Sequence, residues 1–495
     1  MQRCQLSESD MVFSSISFLC FFLPAVLTAY YVIPFVAWRN AVLLLASLLF
    51  YAWGEPTYVF LMIASILFNY NAGLKIAECE RRRGLLLAFS VIVNLAALFV
   101  FKYLGYTSHV VGIIARRLGM GAPAEIKLAL PLGISFYTFQ SISYLVDVWR
   151  NPALVQRDPL RLGLYISLFP QLVAGPIVRY GDIAAQIAER AHSMEGFARG
   201  AERFIVGLAK KVLLANTFAS VCDTVYSGSM FLQGTRFYWL ALFSYSMQIY
   251  FDFSGYSDMA IGLGRMFGFS LPENFDRPYS ASSVTEFWRR WHMTLTGFFR
   301  DYIYIPLGGN RKGKVRTALN RLLVFFVTGL WHGAGVGFVL WGLLHGALMT
   351  VERLFPKRAG KKKGTLARIV GQAYTFASVS LLWLLFRNGF KSSVKILLKM
   401  FGVNYTRFTT TPVPFTNHMD GMLALKFLNA QFFIACVVGI AIAFVPHREK
   451  SSLMQTVSQS AAFRWAKSAV LLALFVLSYA RLAGGSYNPF IYFRF

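Results

Sequence analysis

Two histidines sit where an ionisable side chain is costly to place. His332 falls in T-G-L-W-H-G-A-G-V-G, between apolar runs, and His292 ends the aromatic and basic string F-W-R-R-W-H. An imidazole gains and loses a proton near neutral pH, with an unperturbed pKa of ~6.5, so it suits general acid–base work. Ionisable groups within a membrane are expensive and mark function by default. The competing reading of His332 is a hydrogen bond to a neighbouring helix. Gly333 and Gly335 favour function, because glycine lets a substrate approach the backbone closely. His345, thirteen residues on, fits a packing hydrogen bond better, whereas His109, His192, His418 and His447 read as loop or interfacial residues.

Around His292 the chain changes character. Residues 273–314 mix Trp288, Trp291, Phe298 and Phe299 with Arg289, Arg290, Arg300 and Asp301. One reading is an interfacial amphipathic segment whose arginines meet lipid phosphates. The other is a basic, aromatic wall for an anionic substrate, since Arg grips phosphate in a bidentate fork. Residues 308–314 have the G-x-x-x-x-G-K spacing of a phosphate loop, but Val315 stands where the magnesium-binding hydroxyl belongs, so they read as a tight basic turn. There is no G-x-S-x-G elbow and no H-E-x-x-H helix. Asp147, Asp252, Asp258 and Glu286 lie near apolar stretches and are candidate ion-pathway carboxylates.

The elements that must position these groups are apolar. Candidate spans are 13–33, 41–53, 58–74, 85–103, 160–174, 204–219, 237–253, 322–331, 336–349, 366–386, 427–446 and 466–482. Several fall short of the ~17–25 residues of a full crossing, so they are buried, tilted or re-entrant. Arg321 and Arg353 flank two apolar pieces broken at 331–335, which predicts a hairpin whose bend carries His332 inside the membrane. Basic clusters at Arg81–Arg83, Arg311–Arg321 and Lys357–Lys363 are expected in the cytoplasm, with Arg39 on the same side and 406–420 outside.

Composition fixes the class. The 495 residues are 56% hydrophobic and only 14% charged, and the mean hydropathy is +0.51. A soluble domain runs near 25% charged, so this is an all-α polytopic membrane protein. The net charge of +27 sits between apolar runs, as positive-inside loops require. Nucleic acid is not an expected partner, whereas membrane lipid is. Cys4, Cys20, Cys79, Cys222 and Cys436 form no close pair, which argues against a disulfide framework or a Cys-ligated metal. The first apolar run lacks a basic lead and a small-residue cleavage site, so it reads as a retained helix.

FWRRWHMTLTGFFRDYIYIPLGGNRKG from Phe287 and TGLWHGAGVGFVLWGLLHG from Thr328 resemble the membrane-bound O-acyltransferase (MBOAT) family. GEPTYVF and PLGGNRKG lean toward its alginate O-acetylation branch over the D-alanyl branch. MVFSSISFL from Met11, FPQLVAGPIVR from Phe169 and the run from Phe251 to Tyr279 extend the likeness in order. It implies one membrane domain over 11–495, with 1–10 as an upstream extension, and short and re-entrant helices around a tunnel. His332 matches the family's catalytic histidine, and His292 its second. Trp291, Trp331, Arg289, Arg290, Gly333 and Gly335 become expected tunnel or substrate contacts.

The implied reaction is O-acetylation of an extracytoplasmic polysaccharide such as alginate, at the bacterial inner membrane. Acetyl-CoA is the inferred donor, no cofactor is held tightly, and extracytoplasmic acetylation proteins are partners. Peptidoglycan acetylation, D-alanyl transfer, a glycan or ion transporter, and an inactive scaffold stay open as alternatives. For acyl transfer, a neutral buried His332 takes the hydroxyl proton, with the Gly333–Gly335 backbone as oxyanion donor. His292 orients or polarises the acyl carbonyl, or binds the acceptor.

Overall fold

The computed structural model describes residues 11–121, 123–227, 234–355, 364–403, 428–445, 460–485 and 487–491. The expectations placed on 1–10, 357–363, 406–420, His418 and His447 lie outside them. The described residues form helices and connections, with no strand among them. Among the described residues, six helices are long and apolar enough to cross a membrane: Val36–Gly54, Tyr58–Glu78, Arg83–Lys102, the run from Met194 to Tyr226, Thr365–Met400 and Ala461–Ala483. Phe18–Val32, Val336–Glu352 and Ala430–Phe444 are shorter apolar helices.

The chain divides into two compact units. One comprises residues 11–205 and 256–273. It contains α1 (Leu23–Val32), α2 (Val36–Gly54), α3 (Tyr58–Glu78), α4 (Arg83–Lys102), α5 (Leu104–Arg117), α6 (Ile134–Arg150), α7 (Pro159–Ser167), α8 (Phe169–Leu172) and α9 (Tyr180–Ala188). α10 (Met194–Ala209) begins here. Packing is close because small and amide residues sit at the contacts: Asn69 and Asn94 exchange hydrogen bonds of 3.1 and 2.8 Å between α3 and α4, and a Cβ on Gly73 would lie 2.3 Å from the Tyr144 hydroxyl. α6 is buried along nearly its whole length. The span expected at 160–174 is instead two short buried helices, α7 and α8, because Leu168 leaves helical geometry and Pro170, the second residue of α8, has no N–H to carry the ladder through.

The second unit comprises 206–255 and 274–491. It holds α11 (Asn216–Tyr226), most of α12 (Thr235–Met266), α13 (Val284–Arg290), α14 (Met293–Phe299), α15 (Gly313–His332), α16 (Val336–Glu352), α17 (Thr365–Met400), α18 (Ala430–Phe444) and α19 (Ala461–Ala483). α12 is long enough to cross a bilayer but is diluted by Ser244, Ser246, Gln248 and Asp252, which are all buried against protein. Asp252 pairs with Lys211 at 2.6 Å, both essentially inaccessible. Lys211 also donates to Asn216 at 3.1 Å and to the Pro489 carbonyl, and the Ile491 N–H reaches Asp252 at 2.8 Å. A buried pair is sustained only by such additional hydrogen bonds. Asp252 is therefore an anchor for the carboxyl-terminal strap. In the other unit Asp258 is likewise paired, with Arg203 at 2.6 Å.

The expected hairpin is present. α15 and α16 pack along their length, joined by residues 333–335, and Arg321 of the first arm donates to the Met349 carbonyl at 3.0 Å and to Thr350 at 3.2 Å in the second. Glycines set its closeness: a Cβ on Gly342 would meet the Phe325 carbonyl at 2.2 Å, and one on Gly329 the Phe338 carbonyl at 2.4 Å. The first arm exceeds its apolar piece. It begins at Gly313 in a basic, exposed turn, so the arm is ~30 Å long while Arg321 to His332 covers only ~17 Å.

Candidate active site

α13 exists because its first turn is capped twice. The Ser283 hydroxyl accepts from the Glu286 N–H at 3.1 Å, and Glu286 accepts from the Ser282 N–H at 3.0 Å, a capping-box arrangement shifted by one residue. Glu352, the last residue of α16, then accepts from the N–H groups of Val284 and Thr285 at 2.6 and 2.9 Å and from the Thr285 hydroxyl at 2.6 Å. Two turns earlier on α16, His345 Nδ1 accepts from Trp288 Nε1 at 3.2 Å. The second arm of the hairpin thus grips α13 at its start and its middle. His345 is the packing histidine expected from the sequence.

Directly after α13, Trp291 is buried among Phe275, Phe287 and Trp383, with ring centroids 5.0–5.4 Å away. His292 follows in a left-handed conformation, φ 45° and ψ 53°. A residue with a Cβ pays on the order of 1–2 kcal/mol for that backbone, and such outliers persist where the surroundings over-determine them. Here the surroundings are Asn274. Its carbonyl oxygen accepts from the Met293 N–H at 2.9 Å. Its side-chain Oδ1 lies 3.1 Å from His292 Nδ1, 2.9 Å from the Thr294 hydroxyl and 3.4 Å from the Thr294 N–H. An amide oxygen only accepts, so Nδ1 carries the hydrogen and Nε2 presents its lone pair. Nε2 is buried with no hydrogen-bond partner among the described residues. His292 lies outside the six spans, and burial pushes its pKa down to about 3. The ring is neutral and basic at one known atom.

His332 is the last residue of α15 and is 3% exposed. Its ring is met by Trp331 at 4.7 Å, Phe386 at 4.9 Å and Trp341 at 5.2 Å. The Trp331 ring also lies 6.0 Å from His292. Both histidines therefore neighbour one tryptophan in a shared aromatic cluster, with Phe253 edge-on to His292 at 4.7 Å. Trp291 belongs to the surrounding core.

The remaining expected site residues fall elsewhere. Arg289 is exposed. Arg290 is consumed by Glu286 at 2.8 Å and Asp276 at 3.5 Å, so its charge is neutralised locally, and burial rather than the arginines holds His292 neutral. The Gly333 N–H is spent on the Gly329 and Leu330 carbonyls at 3.3 and 3.0 Å, which removes it as an oxyanion donor. A Cβ on Gly333 would sit 2.7 Å from the Phe338 ring, so close packing explains that glycine. Gly335 opens α16, its carbonyl accepting from the Phe338 N–H at 3.0 Å. Asn274, Glu352 and Trp341 were not singled out in the sequence. Asn274 alone had a visible signal, as the amide within the polar string P-E-N-F-D-R-P-Y.

Residues 157–361, which contain both histidines, match the MBOAT, membrane-bound O-acyltransferase family. Over 98% of this chain and the whole of the relative, the sequence is 36% identical to the probable alginate O-acetylase AlgI of Pseudomonas putida. The chain belongs to the membrane-bound O-acyltransferase family. The chain is also similar to two further relatives. The peptidoglycan O-acetyltransferase of Helicobacter pylori is 34% identical over 98% of both chains. The teichoic acid D-alanyltransferase of Bacillus subtilis is 29% identical over 57% of this chain and 71% of its own length. The protein is a multi-pass membrane O-acyltransferase, and the resemblance to the O-acetylating members runs its full length.

Proposed function

We propose that this acyltransferase takes an acetyl group from a cytoplasmic thioester, ultimately acetyl-CoA, and serves O-acetylation of an extracytoplasmic polysaccharide of the alginate type at the bacterial inner membrane. Residues from 11 onward act as one membrane domain, working with extracytoplasmic acetylation proteins. The observation that carries the reading is the pair of buried histidines beside Trp331, at 4.7 and 6.0 Å between ring centroids. The full-length likeness to O-acetylating relatives supports acetyl over D-alanyl.

In this mechanism His332 is the base. The acceptor hydroxyl gives it a proton as its oxygen attacks the acyl carbonyl, the tetrahedral intermediate collapses, and the thiolate leaves with a proton returned to it. His292 has the other task. Polarising the carbonyl needs an N–H at Nε2, and the hydrogen bond to Asn274 puts the hydrogen on Nδ1 instead. His292 Nε2 accordingly accepts a hydrogen bond from a neighbouring hydroxyl of the acceptor, not the one that His332 deprotonates, and so aims the attacking oxygen. The test is acyl transfer by purified protein from an acetyl thioester to an oligosaccharide. His332→Ala is expected to lower turnover by ~10²–10⁴-fold. His292→Ala is expected to raise the KM for the oligosaccharide as well as lower turnover. A covalent acyl adduct on a serine or cysteine refutes the scheme.

A further inference from the structure

Far along the sequence from either catalytic histidine, the first unit buries two guanidinium groups without a carboxylate. Arg39 opens α2 and is 9% exposed; Arg190 follows α9 and is 8% exposed. Both lie against the Tyr30 ring, with guanidinium carbons 5.3 and 5.7 Å from its centroid. Arg39 also lies over Tyr31 at 5.6 Å, and Arg190 over Phe269 at 4.4 Å. Their hydrogen bonds all go to neutral groups. Arg39 Nη1 donates to His192 Nδ1 at 2.8 Å. Arg190 Nε donates to the Tyr30 hydroxyl and the Phe267 carbonyl at 3.0 and 3.1 Å, and Nη1 to Asn40 Oδ1 and the Gln186 carbonyl at 2.7 and 3.3 Å.

The cluster is built, not incidental. Because a guanidinium only donates, His192 Nδ1 is an acceptor and Nε2 carries the hydrogen. Nε2 then donates to the Tyr30 hydroxyl at 2.8 Å, and that hydroxyl to the Phe267 carbonyl at 2.6 Å. Burial and the two arginines together keep His192 neutral by lowering its pKa. Gly268, at φ +81°, leaves room for the imidazole, which a Cβ there would approach to 2.9 Å. Every charge at the site is thus positive. Arg39 Nε and Arg190 Nη2 are buried with no acceptor among the described residues, and no described Asp or Glu pairs with either arginine. Two buried cations without an anion are a costly arrangement, since an uncompensated buried charge is strongly destabilising. Such a site is complete only with an anion.

The rim says what kind of anion. Tyr31 and His192 are only partly covered, so the cluster opens outward. Beside it Val32, Phe35 and Trp38 are exposed. In a membrane protein such a surface faces acyl chains, with Trp and Tyr at headgroup depth. Basic pockets between membrane helices take lipid headgroups.

We propose that Arg39 and Arg190, with Tyr30, Tyr31 and His192, form a binding site for the phosphate of an anionic phospholipid, whose acyl chains lie on the Val32–Phe35–Trp38 surface. The guanidinium donors without acceptors meet the phosphate oxygens, the charge-assisted geometry that Arg favours. Delipidated full-length protein, titrated with short-chain phosphatidylglycerol, phosphatidylcholine or inorganic phosphate, tests it through the thermal unfolding midpoint. Phosphatidylglycerol is expected to raise the midpoint, and phosphatidylcholine to have little effect. In the double variant Arg39→Gln, Arg190→Gln the phosphatidylglycerol affinity is expected to fall by ~10-fold or more. Equal stabilisation by inorganic phosphate keeps the anion site but assigns it to a soluble phosphate rather than a lipid. If the double variant does not fold, the Arg39→Lys, Arg190→Lys protein must retain the preference for phosphatidylglycerol. Equal responses to phosphatidylglycerol and phosphatidylcholine in the wild type, or an undiminished response in the glutamine variant, overturn the proposal.

Discussion

Replacing Asn274 tests the site where its geometry is most specific. Asn274 Oδ1 is what places the hydrogen of His292 on Nδ1, across 3.1 Å, and it ties the same strained turn to Thr294 at 2.9 Å. In Asn274→Ala the buried Nδ1–H loses its acceptor, a change worth about 1–3 kcal/mol. The imidazole is then free to carry its hydrogen on Nε2, where it cannot accept from the acceptor's neighbouring hydroxyl. At ~1.4 kcal/mol per decade, turnover is expected to fall by roughly 10–100-fold, with the protein still folded. Asn274→Asp gives a second, independent readout. In the wild type His292, at about 3, stays neutral throughout the range from weakly acid to weakly basic pH. A carboxylate beside Nδ1 favours imidazolium and raises that pKa. Protonation then removes the Nε2 lone pair as pH falls, so the variant should lose activity toward acid pH at values where the wild type is still flat. The assay is the pH dependence of kcat for acetyl transfer to an oligosaccharide by purified protein. Full activity in Asn274→Ala, or pH profiles of Asn274→Asp and wild type that superimpose, refutes the orienting role.

Glu352→Ala removes three acceptor contacts from the start of α13; kcat is expected to drop about 10-fold or more through misplacement of His292, with partial recovery in Glu352→Gln, read by steady-state kinetics. Gly342→Ala forces a Cβ to 2.2 Å from the Phe325 carbonyl and should destabilise the hairpin by about 1–3 kcal/mol or prevent its assembly, read as a lowered unfolding midpoint and reduced membrane yield. Lys211→Met alone strands Asp252 and should cost about 3–5 kcal/mol, whereas Lys211→Met with Asp252→Leu should recover much of it, measured by thermal unfolding in detergent.

Apolar periodicity and basic flanks made the membrane class and the hairpin bearing His332 legible, because bilayer thickness and the positive-inside bias act on local composition. The same logic read 237–253 as a span but could not show the protein partners that bury the serines and Asp252 of α12. It also read 160–174 as one span where Leu168 and Pro170 break it. Within the site, residue type pointed to His332 and His292, but the tautomers of His292 and of the supporting His345 depend on partners distant in sequence, Asn274 and Trp288. Arg290 shows the converse. Its type suggested a phosphate contact, and Glu286 and Asp276 had already claimed it. Arg39, Arg190 and His192 were individually unremarkable, and their cluster arises only because α1, α2, the α9–α10 connection and the end of α12 converge on Tyr30.

The most direct measurement of the central claim is transfer of labelled acetyl groups to polysaccharide in cells producing His332→Ala protein at wild-type level. The account expects acetylation at or near background, in line with loss of a general base, and restoration by the wild-type chain. Undiminished polymer acetylation by His332→Ala cells contradicts it.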